Sequence, residues 1–168
     1  MDRHRWRHWV AVLSVVGALL LVGATLTALW RYATHDRPEV IDHPLVVRTT
    51  NAACLVMRTT VHQLAPAPEA PVAQRLAAVE AQNSAVAEML ARIRALGSER
   101  VAGDAPLTSW LGDWESLLRA RQAYAGSIRS GRPLPYRVPR DDAGEPITTR
   151  MNDVGLDCTV PRELTSGG

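Results

Sequence analysis

The longest uncharged stretch of the chain, from Trp9 to Trp30, restricts the possible folds more than any other feature. Its twenty-two residues contain no Asp, Glu, Lys or Arg. A helix rises about 1.5 Å per residue, so this stretch would reach about 33 Å and match a hydrocarbon core of about 30 Å. The sequence therefore predicts an N-terminal transmembrane helix at residues 9–30.

The residues before this stretch predict its orientation. Residues 1–8 contain Arg3, Arg5 and Arg7 but a single acid, Asp2. Positive charge beside a first transmembrane helix is retained on the cytoplasmic side. We therefore expect a signal anchor in the cytoplasmic membrane, with residues 1–8 inside and residues 31–168 outside. A cleaved signal peptide is the alternative, because the small residues at 22–24 suit a cleavage site.

The charges of the exported part nearly cancel. The nineteen basic residues are all arginine, and all but three of them lie after residue 30, as do all but one of the seventeen acidic residues. A neutral domain lacks the positive surface of a nucleic-acid-binding protein, so we expect no nucleic acid as partner. We assign residues 31–44 to a juxtamembrane linker, 45–161 to one exported helical domain and 162–168 to a disordered tail.

Apolar residues recur at steps of three and four through most of the exported part, which is typical of amphipathic helices. This pattern predicts helices at about 45–64, 71–96 and 108–130, with Thr108 as the N-cap of the third, and a short helix at 146–154. Short connections between long helices favour antiparallel neighbours. The sequence therefore predicts a three-helix antiparallel bundle.

Two cysteines, Cys54 and Cys158, lie in the exported part. An even number of cysteines outside the cytoplasm predicts a disulfide, and two cysteines allow one pairing. Two unpaired buried thiols are the alternative. The complete fold prediction is all-α: an N-terminal transmembrane helix followed by an extracytoplasmic three-helix antiparallel bundle, with an irregular C-terminal extension tethered by the Cys54–Cys158 disulfide.

A few polar and aromatic residues on the apolar helix faces have two interpretations. Asn83 either fixes helix register by a local hydrogen bond or binds a ligand. Arg121 is expected to pack its stem while its head reaches solvent. Trp110 and Trp114, one turn apart, belong either to the core or, with Tyr124, to a groove that binds a lipid, a glycan or a small molecule.

Three stretches resemble a known group of proteins: WLGDWESLLRARQAYAGSI at 110–128, GEPITTRMND at 144–153 and LDCTVP at 156–161. They are similar to small membrane-anchored proteins of actinobacteria that have one transmembrane helix and an exported helical domain. The resemblance covers most of residues 45–161. It implies an anchor and a disulfide, and it implies no active site, since that group has no assigned activity.

Motifs of the common enzyme classes are absent from the sequence. It contains no P-loop, GxGxxG, G-x-S-x-G or HExxH pattern. His62 has no evident nucleophile beside it, and Asp113 and Glu115 point to different faces of one helix. The sequence therefore predicts no catalytic residue, cofactor or metal site, although an exported enzyme with an unfamiliar site remains an alternative.

These observations favour a non-enzymatic, membrane-anchored interaction or accessory protein of the cell envelope, with an envelope protein as its partner. The alternative is an extracytoplasmic module that binds a lipid, glycan or small molecule near Trp110, Trp114 and Tyr124. The sequence makes no prediction of the oligomeric state.

Overall fold

The computed structural model describes residues 16–18, 20–27 and 40–166, and the chain forms two units, residues 1–38 and 39–168. Within this described part, no helix is both long enough and apolar enough to span a membrane. The predicted transmembrane helix is therefore wrong as an element of the fold. The other expectations for residues 1–39 fall largely outside the described residues.

The second unit is built of helices, which confirms the all-α prediction. In chain order they are α1 (Pro44–Gln63), α2 (Val72–Arg94), α3 (Ser98–Ala102), α4 (Ala105–Arg129), α5 (Ile147–Asn152) and α6 (Arg162–Thr165). The described residues contain no strand, and their one isolated bridge joins Arg140 to Pro146.

Helices α1 and α2 pack antiparallel to each other. The sulfur atoms of Cys54 and Met89 lie 3.5 Å apart, and Gln82 Nε2 donates a hydrogen bond to the carbonyl oxygen of Val61 at 3.4 Å. The residue number therefore rises along α1 as it falls along the facing α2. The eight-residue connection between them is proline-rich, and proline lacks the N–H that would extend either helix.

Helix α4 packs against α2 in the same antiparallel way. Ion pairs join Arg94 to Glu115 near one end of the α2–α4 pair and Glu80 to Arg129 near the other. The apolar faces of α1, α2 and α4 meet in one core, which includes Met57, Val86, Ile93, Leu107 and Leu117, each at most 1% exposed. Burying one such side chain stabilises the fold by about 1.5–3 kcal/mol.

The start of α4 differs from the prediction. The helix begins at Ala105, and the Oδ1 atom of Asp104 accepts a hydrogen bond from the Leu107 N–H at 2.9 Å. Asp104 is therefore the N-cap, and the predicted cap Thr108 lies inside the helix. Pro106 in the first turn fits this start, because proline costs no hydrogen bond at that position.

The C-terminal extension is attached to the bundle by a disulfide between Cys54 and Cys158, which confirms the predicted pairing. Their Cα atoms lie 5.5 Å apart, so the bond joins α1 directly to the segment before α6. Helix α5 forms where a short helix was predicted.

Both ends of this unit are more ordered than predicted. Ile41, which we placed in a linker, is 1% exposed, and its N–H donates to the Val154 carbonyl at 3.0 Å. In the expected disordered tail, α6 forms and Leu164 is completely buried. The physical reason is the same at both ends, since each segment carries an apolar side chain that fills space beside the bundle.

Candidate functional site

Trp110 and Trp114, two residues of the predicted ligand groove, belong to the core. They are 1% and 0% exposed, and their rings pack edge to face with centroids 5.8 Å apart. Trp110 Nε1 donates to the Met151 carbonyl at 3.0 Å. Tyr124 is partly exposed and packs against Tyr136, with ring centroids 5.6 Å apart. The two tryptophan rings are therefore closed off from solvent, whereas Tyr124 is not.

Arg121 is buried instead of reaching solvent. Its side chain is 1% exposed, and its guanidinium donates to Gln82 Oε1 at 2.6 Å, to Asn83 Oδ1 at 2.9 Å and to the Glu163 carbonyl at 3.1 Å. The guanidinium carbon lies 5.9 Å from the centroid of the Tyr136 ring. Arg121 lies on α4, and these contacts place its charge against α2, against the Tyr136 ring and against α6.

The electrostatics of this network follow from its burial. Burial lowers the pKa of Arg121, and the neighbouring Tyr136 opposes this shift. Burial likewise raises the pKa of Tyr136, whose hydroxyl donates to the Leu164 carbonyl at 3.0 Å. Two of the hydrogen bonds of the network end on backbone carbonyls of α6, those of Glu163 and Leu164, so the network holds α6 on the bundle.

A second polar contact holds α5 on α4. Arg150 donates from Nε to Asp113 Oδ2 at 2.6 Å and from Nη2 to Oδ1 at 2.5 Å. The hydrogen bond with Asp113 is the main cause that raises the pKa of Arg150. Each carboxylate oxygen thus accepts one hydrogen bond from Arg150, and this two-bond contact fastens α5 to α4.

An open groove lies between α1 and the segment that leads into α6, and we call it the α1 groove. Its volume is about 490 Å³. One wall consists of Leu55, Arg58, Thr59 and His62 of α1, and the other consists of residues 159–163. Leu55 is 64% exposed, so its side chain is available to another molecule.

Polar side chains at the rim of the α1 groove are paired. Arg58 Nη1 lies 3.5 Å from Asp157 Oδ1, and His62 Nδ1 lies 3.1 Å from Glu163 Oε1. A hydrogen bond from its own backbone lowers the pKa of Glu163, and His62 adds to this effect. The groove is lined by three apolar residues, Leu55, Val160 and Pro161, beside these polar groups, and protein-binding surfaces combine both kinds of residue.

Sequence reasoning missed Leu55 and Val56 as candidate binding residues. Both follow Cys54, which lies on the inner face of α1, and Val56 is 48% exposed. The sequence does contain an indication of them. A surface helix needs one apolar stripe to contact the core, and α1 carries apolar residues in addition to that stripe. Leu55 and Val56 lie outside that stripe, and of the two only Leu55 lines the α1 groove.

Comparison of the chain with protein-family models, with curated proteins and with solved structures finds no match. Within the described residues, no group of three or more His, Cys, Asp or Glu side chains is arranged to hold a metal ion.

Proposed function

We propose that residues 40–166 form a non-enzymatic interaction domain that binds another protein through the α1 groove. The observation that carries the proposal is the 64% exposure of Leu55 on a helix whose inner face is already buried. Contiguous apolar surface rimmed by polar groups marks interaction sites, and Leu55 lines the groove together with Val160 and Pro161. The partner is expected to place an apolar side chain against Leu55 and polar atoms beside Arg58 and His62.

The disulfide supports a place of action outside the cytoplasm. Structural disulfides persist in oxidising compartments and are rare where thiols are kept reduced. The Cys54–Cys158 bond joins the two walls of the α1 groove, because Leu55 and Thr159 are the next residues in the chain. An accessory protein of the cell envelope fits both features. The buried positions of Trp110 and Trp114 give no support to a lipid-, glycan- or small-molecule-binding role at those rings.

Site-specific photo-crosslinking in cells that make the full chain tests this proposal. A photo-reactive residue at position 55 should capture one envelope protein, which mass spectrometry then identifies. Leu134 is a matched control, because it is 67% exposed and does not line the groove. The same residue at position 134 should not capture that protein.

Binding of the purified partner then measures the contribution of Leu55. Leu55→Asp should weaken binding by about thirtyfold, as expected for loss of a central apolar contact of about 2 kcal/mol, whereas Leu134→Asp should leave it unchanged. Equal capture at both positions, or unchanged affinity in Leu55→Asp, would refute the proposal.

A further inference from the structure

A short exposed segment soon after α4 alternates proline with other residues. It has the sequence RPLP at residues 132–135, and we call it the proline segment. All four of its residues are exposed, Leu134 to 67%. The segment belongs to no helix or strand and shares no residue with the lining of the α1 groove. It is therefore a separate surface of the molecule.

The alternation of prolines restricts the backbone of the proline segment. The rings of Pro133 and Pro135 hold the dihedral angle φ near about −65°. Arg132 and Leu134 each precede a proline, and that position favours extended or polyproline II backbone over helix. Every residue of the segment is thus either a proline or a residue that a proline restricts. Such a stretch favours the polyproline II conformation, which needs no internal hydrogen bond.

The proline segment is attached to the bundle at both ends. The backbone N–H of Arg132 donates to the Ser127 carbonyl at 3.0 Å, and that of Leu134 donates to Ser127 Oγ at 3.1 Å. Directly after the segment, the Tyr136 ring packs against Tyr124 with centroids 5.6 Å apart. A segment that is already held in place loses little conformational freedom when it binds, which favours affinity.

The backbone of the proline segment offers acceptors and no available donor. Its two prolines have no N–H, and the N–H groups of Arg132 and Leu134 are bonded to Ser127. Within the described part of the chain, no hydrogen bond ends on a carbonyl oxygen of residues 132–135. A partner must therefore supply the donors.

The proline segment and its surroundings also carry unpaired positive charge. Neither Arg132 nor Arg137 forms an ion pair with another described residue, and both are exposed. The nearby Arg129, by contrast, pairs with Glu80. Charges on interacting surfaces are usually complementary, so an acidic group is expected on the partner.

We propose that the proline segment binds a second protein through a groove of that protein that is lined by aromatic side chains and has an acidic residue at its edge. Aromatic rings pack on proline rings, and the N–H of tryptophan or the O–H of tyrosine can donate to the carbonyls of the segment. Addition of the segment to the edge of a sheet is disfavoured, because that contact needs available backbone N–H groups. This surface goes beyond the proposed function, which concerns the α1 groove.

The other proline-rich connection, at residues 64–71, lacks these properties. It bends in a turn in which the Ala70 N–H donates to the Ala67 carbonyl at 3.0 Å. Its one charged residue is Glu69, so it would repel an acidic groove. Pro68 in this connection is exposed and serves as the matched control for the prolines of the proline segment.

Photo-crosslinking at position 134 in cells that make the full chain identifies the partner. We expect it to capture a protein other than the one captured at position 55. Mass spectrometry should place the attachment point beside tryptophan or tyrosine residues of the captured protein. Absence of a protein adduct, or attachment to a surface without aromatic side chains, would overturn the proposal.

Replacing both Pro133 and Pro135 by alanine tests the role of the prolines. The captured protein is purified, and its affinity for the full-length chain is measured by calorimetry. We expect the double variant to bind about tenfold more weakly, because its backbone is less restricted and the rings no longer contact the groove. Pro68→Ala should bind as the natural protein does. Unchanged affinity in the double variant, or equal weakening in Pro68→Ala, would overturn the proposal.

Replacing Arg132 and Arg137 by glutamine tests the acidic edge. We expect the affinity to fall about threefold at low salt, since exposed charge pairs contribute modestly. Added salt should weaken binding of the natural protein more than binding of this variant. The same affinity and the same salt dependence in both proteins would show that the groove has no acidic edge, and the proposal would be wrong.

Two further measurements separate this surface from the alternatives. Leu55→Asp changes the α1 groove and should not affect binding of the protein captured at position 134. A loss of binding in that variant would assign the captured protein to the α1 groove and overturn the proposal. Vesicles of phosphatidylglycerol test a lipid surface, to which arginines also bind. Vesicle binding that is lost when Arg132 and Arg137 are replaced, together with no protein adduct at position 134, would show that the class of partner is wrong.

Discussion

Replacement of Arg121 by methionine is the sharpest test of how the C-terminal segment is held. The variant keeps an unbranched side chain of similar length but removes the buried charge and every donor. Gln82 Oε1, Asn83 Oδ1 and the Glu163 carbonyl would each lose the hydrogen bond that Arg121 supplies. Helix α6 would also lose its link to α2 through this network.

The size of the effect follows from two opposing contributions. A hydrogen bond from a charged donor contributes about 1.5–3 kcal/mol, so the three shortest of the described bonds of Arg121 sum to about 4.5–9 kcal/mol, and the bond to the Ser166 carbonyl is longer at 3.5 Å. Removing the water shell of a buried cation costs several kcal/mol, which offsets part of this gain. We expect Arg121→Met to lower the free energy of unfolding by about 3 kcal/mol. The oxygens that accept from Arg121 would stay buried without a hydrogen-bond donor, which is costly.

Urea denaturation of the full-length protein measures this change. The matched control is Arg129→Met on the same helix, since Arg129 is 65% exposed in its side chain and its ion pair with Glu80 lies at the surface. The control should lose no more than about 0.5 kcal/mol. Hydrogen exchange should also become faster at residues 162–166 in Arg121→Met. Equal stability of the two variants would refute the assignment of Arg121 as the main polar attachment of α6.

Three further predictions concern a hydroxyl, a carboxylate and the disulfide. The buried Thr50 hydroxyl has no hydrogen-bond partner among the described residues, so Thr50→Val should raise the free energy of urea unfolding by about 1 kcal/mol; a decrease would show that the hydroxyl is bonded. The pKa of Glu163 lies below its usual value of 4.5. The ionised Glu163 carboxylate therefore stabilises the fold above pH 4.5, and this contribution is lost as the pH falls through the lowered pKa. Glu163→Gln should therefore be less stable than the natural protein at pH 7 and equal to it in acid, and a stability difference that persists unchanged at pH 2 would contradict this. Replacing both Cys54 and Cys158 by alanine opens a loop with a sequence separation of 104 and should cost about 4–5 kcal/mol on the chain-entropy model; a loss near zero in denaturant would exclude that contribution.

The long helices were predictable because their pattern is local. The helix predicted at 45–64 is observed at Pro44–Gln63, and the helix predicted at 71–96 is observed at Val72–Arg94. Steps of three and four place apolar residues on one face whatever the rest of the chain does. The cap of α4 was missed because both Asp104 and Thr108 suit that role, and the sequence pattern does not rank them.

The polar network was not predictable because its partners are distant in the chain. Arg121 lies 38 residues from Asn83 and 42 from Glu163, and no local pattern connects them. The only signal was the position of an arginine on an apolar face, which is equally compatible with a side chain that reaches solvent.

Two errors came from using composition in place of contacts. The uncharged run at 9–30 is long enough to span a membrane, but among the described residues no helix is both long enough and apolar enough to do so. Residues 162–166 looked like a free chain end because they are mostly polar. A single buried leucine, Leu164, and the carbonyls bound by Arg121 and Tyr136 hold them in place.

The Cys54–Cys158 bond also makes most of the domain a covalent ring. Its 104-residue separation includes the connection at 64–71 and the irregular segment at 130–146. A protease that cuts either segment breaks one peptide bond but releases no fragment, since the two pieces stay joined through sulfur. A nicked molecule therefore keeps its mass on a non-reducing gel and separates into two bands only after reduction, so hydrolysis in these segments does not by itself detach the C-terminal wall of the α1 groove.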